Sequence, residues 1–274
     1  MTELWKAAGA AAWGAVGFGG LLPYLSDTAR AEILRLCPCP GGVYVAAFPY
    51  YAGDGPGNLS LYCRGADYHM VVRDRLEQVC GVLRDTYPVH TFLPGADNSP
   101  LPERTVAWLA GVGLRGEHGL LLVPPYGSYV FLGTILTTLP LPTPKSPSPP
   151  CEGCGACRKA CPTGALGADG FCLERCLSHL TQKKGDLTDQ EAAWIRNSPT
   201  VWGCDLCQKA CPHNRKAALT PLPEFREDLI SSLALDQVAG LTNKTFRSLY
   251  GKRSFSWRGP GPLKRNLSLQ QDPQ

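Results

Sequence analysis

Clustered cysteines constrain this chain more than any other feature of its sequence. Thirteen of the 274 residues are cysteine, and nine of them lie between Cys151 and Cys211. Disulfide frameworks distribute their cysteines along a small secreted domain, whereas cysteines gathered in a reducing compartment are typical of metal or redox sites. The distribution therefore predicts a metal-binding domain in the second half of the chain.

The first cysteine run has the spacing of a bacterial iron–sulfur motif. Cys151, Cys154, Cys157 and Cys161 are separated by two, two and three residues, and Pro162 follows directly. In that motif three thiolates bind one 4Fe-4S cube, and the fourth binds a second cube. Zinc is the alternative, but zinc sites favour two separated cysteine pairs around one tetrahedral ion. The spacing therefore predicts iron–sulfur clusters.

A second, shorter run supplies ligands for the second cube. Two cubes need eight thiolates, and the two runs provide four plus three. The eighth comes from Cys172 or Cys176, which lie between the runs. Exchange of ligands between the runs predicts a first cube on Cys151, Cys154, Cys157 and Cys211. The second cube is then predicted on Cys161, Cys204, Cys207 and one of the two intermediate cysteines. Such a pair of cubes conducts electrons and implies an acceptor in this chain or in a partner.

The residues before the cysteine runs predict a domain of mixed strands and helices. Residues 15–19, 43–48, 120–123 and 128–136 have the composition of strands, and a core helix precedes the first of them. Residues 67–84 and 103–110 have the apolar spacing of helices. The expected fold class is α+β: an N-terminal α/β domain followed by a ferredoxin-like double-cluster domain.

Proline and charge patterns set the domain boundaries. Six prolines within residues 140–150 predict an extended connector between residues 1–139 and the cysteine-rich domain at 151–216. In the C-terminal segment, 217–274, we expect one helix at 242–250. Residues 237–271 carry seven basic side chains, interleaved with aromatic ones, and no acidic one. Two interpretations stay open for this segment, a solvated surface or a contact with nucleic-acid phosphates.

The N-terminal segment does not have the pattern of a membrane anchor. Residues 7–22 are mostly alanine and glycine, which are too weakly apolar and too few for a spanning helix, and a single lysine precedes them. We expect a cytoplasmic protein without a membrane partner.

Further motifs occur in the order found in one known family. Two examples are Tyr-Cys-Arg-Gly-Ala-Asp-Tyr-His at residues 62–69 and Trp-Gly-Cys-Asp-Leu-Cys-Gln at residues 202–208. With these motifs the chain resembles the epoxyqueuosine reductases, cobalamin-dependent iron–sulfur enzymes of tRNA queuosine synthesis that are related to reductive dehalogenases. The resemblance covers roughly residues 43–268. The other matching segments are 97–104, 110–113, 127–133, 139–142, 175–181 and 264–266.

The resemblance implies roles for particular residues. It favours Cys176 over Cys172 as the eighth ligand, and it makes Asp97 the proton donor. It implies a corrinoid-binding N-terminal domain in which Ser128 and Gly133 belong to the strand that holds the corrin ring. Cys63 and Arg64 are implied to border the same cavity.

Asp97 has a simpler interpretation as a turn residue, because Gly-Ala-Asp-Asn-Ser-Pro is a strong turn sequence. If it lies beside an apolar corrin, desolvation is expected to raise its pKa. His69 and His118 also have a simpler interpretation, as ordinary surface or core histidines.

The resemblance implies a reductase that converts epoxyqueuosine to queuosine in tRNA. Electrons would pass from a donor such as flavodoxin or ferredoxin through two 4Fe-4S clusters to cobalamin, in a monomer. The alternatives are a double-cluster electron carrier without its own catalysis, and a dehalogenase-like corrinoid reductase with another substrate. Residues 114–118 depart from the family pattern, and Glu117 reverses a charge there.

Overall fold

The chain folds into two compact units that each take segments from distant parts of the sequence. The computed structural model describes residues 1–144, 146–168 and 170–271, so Lys145 in the connector, Asp169 in the cysteine-rich domain and the last three residues of the C-terminal segment lie outside it. Unit 1 comprises Met1–Tyr50, Tyr68–Gly153 and Lys216–Leu222. Unit 2 comprises Tyr51–Asp67, Cys154–Arg215 and Pro223–Gln274. Residues 51–67 thus join the unit that contains most of the cysteines.

Unit 1 is built on a four-stranded antiparallel sheet whose strands lie in the order Ala12–Gly17, Gly42–Pro49, Val130–Thr137, Phe92–Gly95. Its elements are α1 (Thr2–Ala7), β1 (Ala12–Gly17), α2 (Phe18–Leu21), α3 (Asp27–Leu36), β2 (Gly42–Pro49), α4 (Tyr68–Thr86), β3 (Phe92–Gly95), α5 (Glu103–Leu109), β4 (Leu114–Arg115), β5 (Leu121–Leu122) and β6 (Val130–Thr137). Every residue of β2 is buried, as its continuous apolar run predicts. The first strand lies three residues earlier than expected, and residues 18–21 are helical instead.

Helix α4 packs on the sheet through one apolar face. Val72, Leu76, Val79 and Leu83 recur at helical spacing, and all four are buried. On the sheet side, Gly133 in β6 makes room for this helix. A Cβ atom there would lie 2.6 Å from Val72 Cγ1 and 2.8 Å from Leu76 Cδ1. The close approach of helix and strand therefore requires glycine at this position.

Unit 2 consists of short helices around its own apolar core. Its elements are α6 (Ala156–Lys159), β7 (Leu166–Gly167), β8 (Gly170–Phe171), α7 (Leu177–Leu180), α8 (Asp189–Arg196), α9 (Leu206–Ala210), α10 (Leu235–Ala239), α11 (Asn243–Tyr250) and α12 (Gly261–Gln271). The core includes Leu59, Cys63, Trp202, Phe246 and Phe255, all with no exposed surface. The C-terminal segment has α11 where the sequence predicts it and also α10 and α12, which it does not predict.

Among the helices of the described residues, none has the length and apolarity needed to cross a membrane.

Candidate iron–sulfur and proton-donor sites

Unit 2 groups five of the predicted cluster thiols, four of those expected for the second cube and Cys157 of the first. Burial raises the pKa of Cys204 to about 12, and the charges of Cys176 and Cys161 add to this effect. Burial likewise raises the pKa of Cys207 to about 12, with contributions from Cys204, Cys176, Cys161 and Cys157. These mutual effects require the thiols to lie close together. Cys161, Cys176, Cys204 and Cys207 are the four residues expected to bind the second cube.

The two candidates for the eighth ligand differ in their surroundings. Cys176 belongs to the group of interacting thiols, whereas the Cys172 thiol donates a hydrogen bond to Glu174 Oε2 at 3.5 Å. This difference favours Cys176 and agrees with the resemblance.

The loop after Cys161 suits a thiolate ligand. Burial alone would raise the pKa of Cys161, but hydrogen bonds from the Thr163 hydroxyl and from the backbone N–H groups of Leu166, Thr163 and Ala165 lower it overall. Donors arranged in this way stabilise the deprotonated sulfur that binds iron. Within the described residues no group of His, Cys, Asp and Glu is set to hold a single metal ion. The donors to Cys161 suit a thiolate ligand of a 4Fe-4S cube, whose full ligand set stays a prediction.

Segment 51–67 supports the second cysteine run. Ser60 Oγ and the Leu61 N–H donate to the buried carboxylate of Asp205 at 2.6 and 2.9 Å. The Trp202 indole donates to Tyr62 Oη at 3.0 Å. These contacts join residues more than 130 positions apart, and no sequence pattern indicates them.

Gly203 lets segment 51–67 approach the Cys204 loop. Its φ of 74° lies in the left-handed region, and a Cβ atom there would come within 2.8 Å of Tyr62 Cε1. Both conditions favour glycine directly before Cys204.

The predicted ligands of the first cube are distributed over both units. In unit 2, Cys157 and Cys211 are buried and Cys154 is exposed. Cys151 belongs to unit 1, where its Sγ accepts the Glu117 N–H at 3.3 Å and its own N–H donates to the Arg115 carbonyl at 2.9 Å. The segment that departs from the family pattern therefore holds Cys151 through its backbone, which is independent of side-chain identity.

The four residues implied to border the corrin ring are all buried. Cys63 has no exposed surface, and its Sγ donates to the Ser60 carbonyl at 3.1 Å. The Arg64 guanidinium donates to the carbonyls of Leu59 and Gly55 at 2.8 and 2.6 Å. Ser128 is buried, and Gly133 packs against α4. Their corrin contacts stay a prediction that rests on the resemblance.

In unit 1, Asp97 is surrounded by polar side chains. Its Oδ2 accepts a hydrogen bond from Tyr68 Oη at 2.8 Å and lies 3.0 Å from His69 Nε2. The aromatic rings of Tyr68 and Phe131 stack at 4.3 Å, and those of Tyr68 and His69 at 4.0 Å, which fixes both partners of the carboxylate. His69 is therefore a residue of this site and not an ordinary surface histidine.

The hydrogen bonds around Asp97 act on its pKa in the direction opposite to the effect expected of an apolar corrin. The side chain is 58% exposed, and hydrogen bonding to His69, followed by the Tyr68 hydroxyl, lowers its pKa against the opposing effect of desolvation. The neighbouring carboxyl of Glu103, at the start of α5, has a raised pKa. Burial raises the pKa of Glu103 to about 8, and the charge of Asp97 adds to the effect. Sequence reasoning missed Glu103, since nothing in its pattern distinguishes it from a first-turn residue.

Asp97 also has an unusual backbone conformation. Its φ is 63°, in the left-handed region that aspartate tolerates in turns, as the turn sequence predicts. Its N–H donates to Glu103 Oε1 at 2.8 Å. The loop between β3 and α5 is thus closed by a contact from the first residue of the helix back to Asp97.

His118 lies in the core, in agreement with its simpler interpretation as an ordinary core histidine. It is buried, and its Nδ1 accepts the Leu120 N–H at 3.2 Å.

Part of the basic C-terminal segment serves the fold. Arg253 donates to Asp228 at 2.6 Å and to the Arg64 carbonyl at 3.2 Å. Lys264 and Arg265 donate to backbone carbonyls of other segments. The exposed Trp257 carries the Arg258 guanidinium over its ring at 3.7 Å. A nucleic-acid contact by the remaining cations stays a prediction.

The two cysteine runs and the thiols that unit 2 groups together define the class of the protein, a double-cluster iron–sulfur protein. Residues 150–214 match the family model of the 4Fe-4S double cluster binding domain, and residues 30–96 match the model described as "Epoxyqueuosine reductase QueG, DUF1730". The chain is 37% identical over 215 residues to epoxyqueuosine reductase of Bacillus cereus, a match that covers 76% of this chain and 56% of the relative. The chain thus spans little more than half the length of that curated relative.

Solved structures agree with the sequence relatives. A crystal structure of epoxyqueuosine reductase with a tRNA-Tyr epoxyqueuosine-modified stem loop superposes with a TM-score of 0.84 at 29% identity, covering 98% of this chain and 79% of that chain. The Bacillus subtilis enzyme, solved with the loop of its catalytic aspartate swung out of the active site, superposes with a TM-score of 0.81 at 28% identity, covering 98% and 80%. The chain belongs to the epoxyqueuosine reductase family.

Proposed function

We propose that this chain is a cobalamin-dependent iron–sulfur reductase that converts epoxyqueuosine to queuosine in tRNA. The observation that carries the proposal is a likeness over 98% of the chain to an epoxyqueuosine reductase bound to its modified tRNA stem loop. The grouped thiols of unit 2 support it, because they fit one of the two cubes that such a reductase needs.

The reaction defines what the chain must supply. Removing an epoxide oxygen to leave an alkene consumes two electrons and two protons, and the oxygen departs as water. When bound, the cubes supply single-electron transfers and cobalamin supplies a strongly reducing centre. Cys161, Cys176, Cys204 and Cys207 would hold one cube, and Cys151, Cys154, Cys157 and Cys211 the other. The proposed electron donor is a flavodoxin or a ferredoxin. The reductase is proposed to act as a monomer in the cytoplasm.

The protons pass through the Asp97 site. Since the pKa of Asp97 is lowered, its carboxyl does not hold a proton alone at neutral pH. His69 Nε2, which lies 3.0 Å from Asp97 Oδ2, holds the proton that the Asp97 carboxyl does not hold alone. We infer that imidazole and carboxylate hold one proton as a coupled pair, and that Asp97 delivers it to the departing oxygen. The Tyr68 hydroxyl orients the carboxylate. In the Bacillus subtilis relative a catalytic aspartate loop swings out of the active site, and the loop at residues 96–102 would correspond to it.

Nucleoside analysis of tRNA tests the proposed function. Reconstituted chain, supplied with cobalamin and a chemical reductant, is incubated with a stem loop that carries epoxyqueuosine, and the products are measured by mass spectrometry. We expect queuosine to replace epoxyqueuosine, and Asp97→Asn to prevent this while iron content stays unchanged. Wild-type chain with full iron and bound cobalamin but no product would reject this substrate. Full iron without cobalamin binding would favour the alternative, an electron carrier.

A further inference from the structure

Glu103 holds the Asp97 loop in place from the far end of that loop. The loop leaves β3 after Gly95 and enters α5 at Glu103. Within it, Asp97 N–H donates to Glu103 Oε1 at 2.8 Å, and Ser99 N–H donates to the Asp97 carbonyl at 2.9 Å. Asp97 adopts a φ of 63°, a left-handed conformation that aspartate tolerates in turns and that its neighbours stabilise here. The Glu103 carboxyl is the partner that accepts the Asp97 N–H in this conformation.

The geometry on the other side of Asp97 explains why the backbone position matters. The Asp97 Oδ2 atom accepts a hydrogen bond from Tyr68 Oη and contacts His69 Nε2 at the same time. The rings of Tyr68 and His69 are held in place by stacking on each other and on Phe131. A change of backbone conformation at Asp97 would turn the carboxylate away from both.

We propose that Glu103 is a pH-sensitive positioning residue, whose carboxylate holds Asp97 against Tyr68 and His69 and whose protonation loosens the loop. A carboxylate binds an N–H more strongly than the neutral acid does. The charged groups that act on Glu103 are Asp97 from the loop, His69 from α4 and Arg104 from α5 itself. Burial and Asp97 oppose its ionisation, so protonation occurs near neutral pH and not in strong acid. The catalytic consequence rests on the proposed function, whereas the loop geometry does not.

The test follows the backbone amide of Asp97 in the full, cluster-containing chain. ¹⁵N-resolved NMR spectra are recorded between pH 6 and 9.5, a range chosen around the Glu103 pKa of about 8. In the wild-type chain we expect the Asp97 amide resonance to titrate with a midpoint near the Glu103 pKa of about 8. Glu103→Gln keeps an oxygen acceptor that does not titrate, so this midpoint should disappear, and any step that remains belongs to the Asp97–His69 pair. Glu103→Ala removes the acceptor, and the amide should be displaced or lost to exchange at every pH.

Glu32→Gln is the matched control. It makes the same chemical change on an exposed residue of α3 and should keep the wild-type titration. Glu103→Gln with the wild-type midpoint would overturn the proposal, because another group would then titrate. An unchanged Asp97 amide in Glu103→Ala would also overturn it.

Turnover separates this inference from the proposed function. With an epoxyqueuosine stem loop, we expect kcat of the wild-type chain to rise with the Glu103 titration, and Glu103→Gln to lose that rise while retaining activity. A turnover rise that persists in Glu103→Gln would contradict the catalytic role of the loop. If no variant turns over the stem loop but the Asp97 amide still responds to Glu103, the positioning role stands and the substrate assignment fails.

Discussion

Gly133→Ala tests whether this glycine is needed for the packing of α4 on β6. The added Cβ would lie 2.6 Å from Val72 Cγ1 and 2.8 Å from Leu76 Cδ1, about 1 Å inside ordinary carbon–carbon contact. Both neighbours are fully buried and cannot move into solvent. Overpacking of this kind costs about 1–3 kcal/mol of unfolding free energy. That loss should lower the melting temperature by roughly 2–4 °C per kcal/mol.

A double-mutant cycle with Val72→Ala isolates the cause. Val72→Ala alone removes two buried methyl groups and should cost about 2 kcal/mol. In the double variant the methyl group added at position 133 occupies the space that the Val72 side chain leaves, so the combined loss should be smaller than the sum by about 1 kcal/mol or more. Unfolding by urea under anaerobic conditions, followed by far-UV circular dichroism, measures the three free energies. Additive losses, or a neutral Gly133→Ala, would refute the packing argument.

Three further predictions concern the two candidate sites. Cys176→Ser should lose the second cube, about half of the bound iron, whereas Cys172→Ser should keep all of it; equal iron in both variants would contradict the ligand assignment. His69→Ala should raise the pKa of Asp97, because the largest cause of its lowered value is removed; ¹³C NMR of the Asp97 carboxyl at several pH values measures this, and an unchanged value would argue against the pair. Glu103→Gln should raise the free energy of unfolding by about 2 kcal/mol at pH 8 and by almost nothing at pH 4.5. The gain should appear as pH rises between these values. A difference between variant and wild type that does not change with pH would count against the raised pKa of Glu103.

The magnitude for Glu103 follows from the two pKa values. A group with a folded-state pKa of about 8 and an ordinary value of 4.5 is protonated in both states at low pH, so it has no effect there. Above the ordinary value only the folded state keeps the proton, and stability falls until pH passes about 8. The full shift of about 3.5 units corresponds to about 5 kcal/mol, and partial solvent exposure reduces this to about 2 kcal/mol.

Local patterns predicted much of unit 1 because its elements bury regular apolar faces. The helix expected at 67–84 is Tyr68–Thr86, and the strand expected at 43–48 is Gly42–Pro49. The first strand was expected at residues 15–19 but spans Ala12–Gly17. A run of alanine and glycine has no alternation of polar and apolar residues from which its limits could be predicted. β3 was missed because Phe-Leu-Pro-Gly is short and contains proline.

Contacts between distant residues account for what the sequence did not indicate. The cysteine spacing predicted a double-cluster domain but left the eighth ligand open between Cys172 and Cys176, and nothing in it indicated that Ser60 and Leu61 bind Asp205. No local pattern indicated the hydrogen bonds that lower the pKa of Asp97, since both partners come from α4, nearly thirty residues earlier. Burial of Glu103 arises from tertiary packing and not from its position in a helix.

Cofactor content after anaerobic purification shows whether a double-cluster domain and a cobalamin site coexist in this one chain. Iron analysis and the visible spectrum of the corrinoid are measured on the same sample, after incubation with cobalamin and gel filtration. We expect two four-iron cubes, about eight irons, and about one cobalamin for each chain. Full iron content with no retained cobalamin would contradict this expectation.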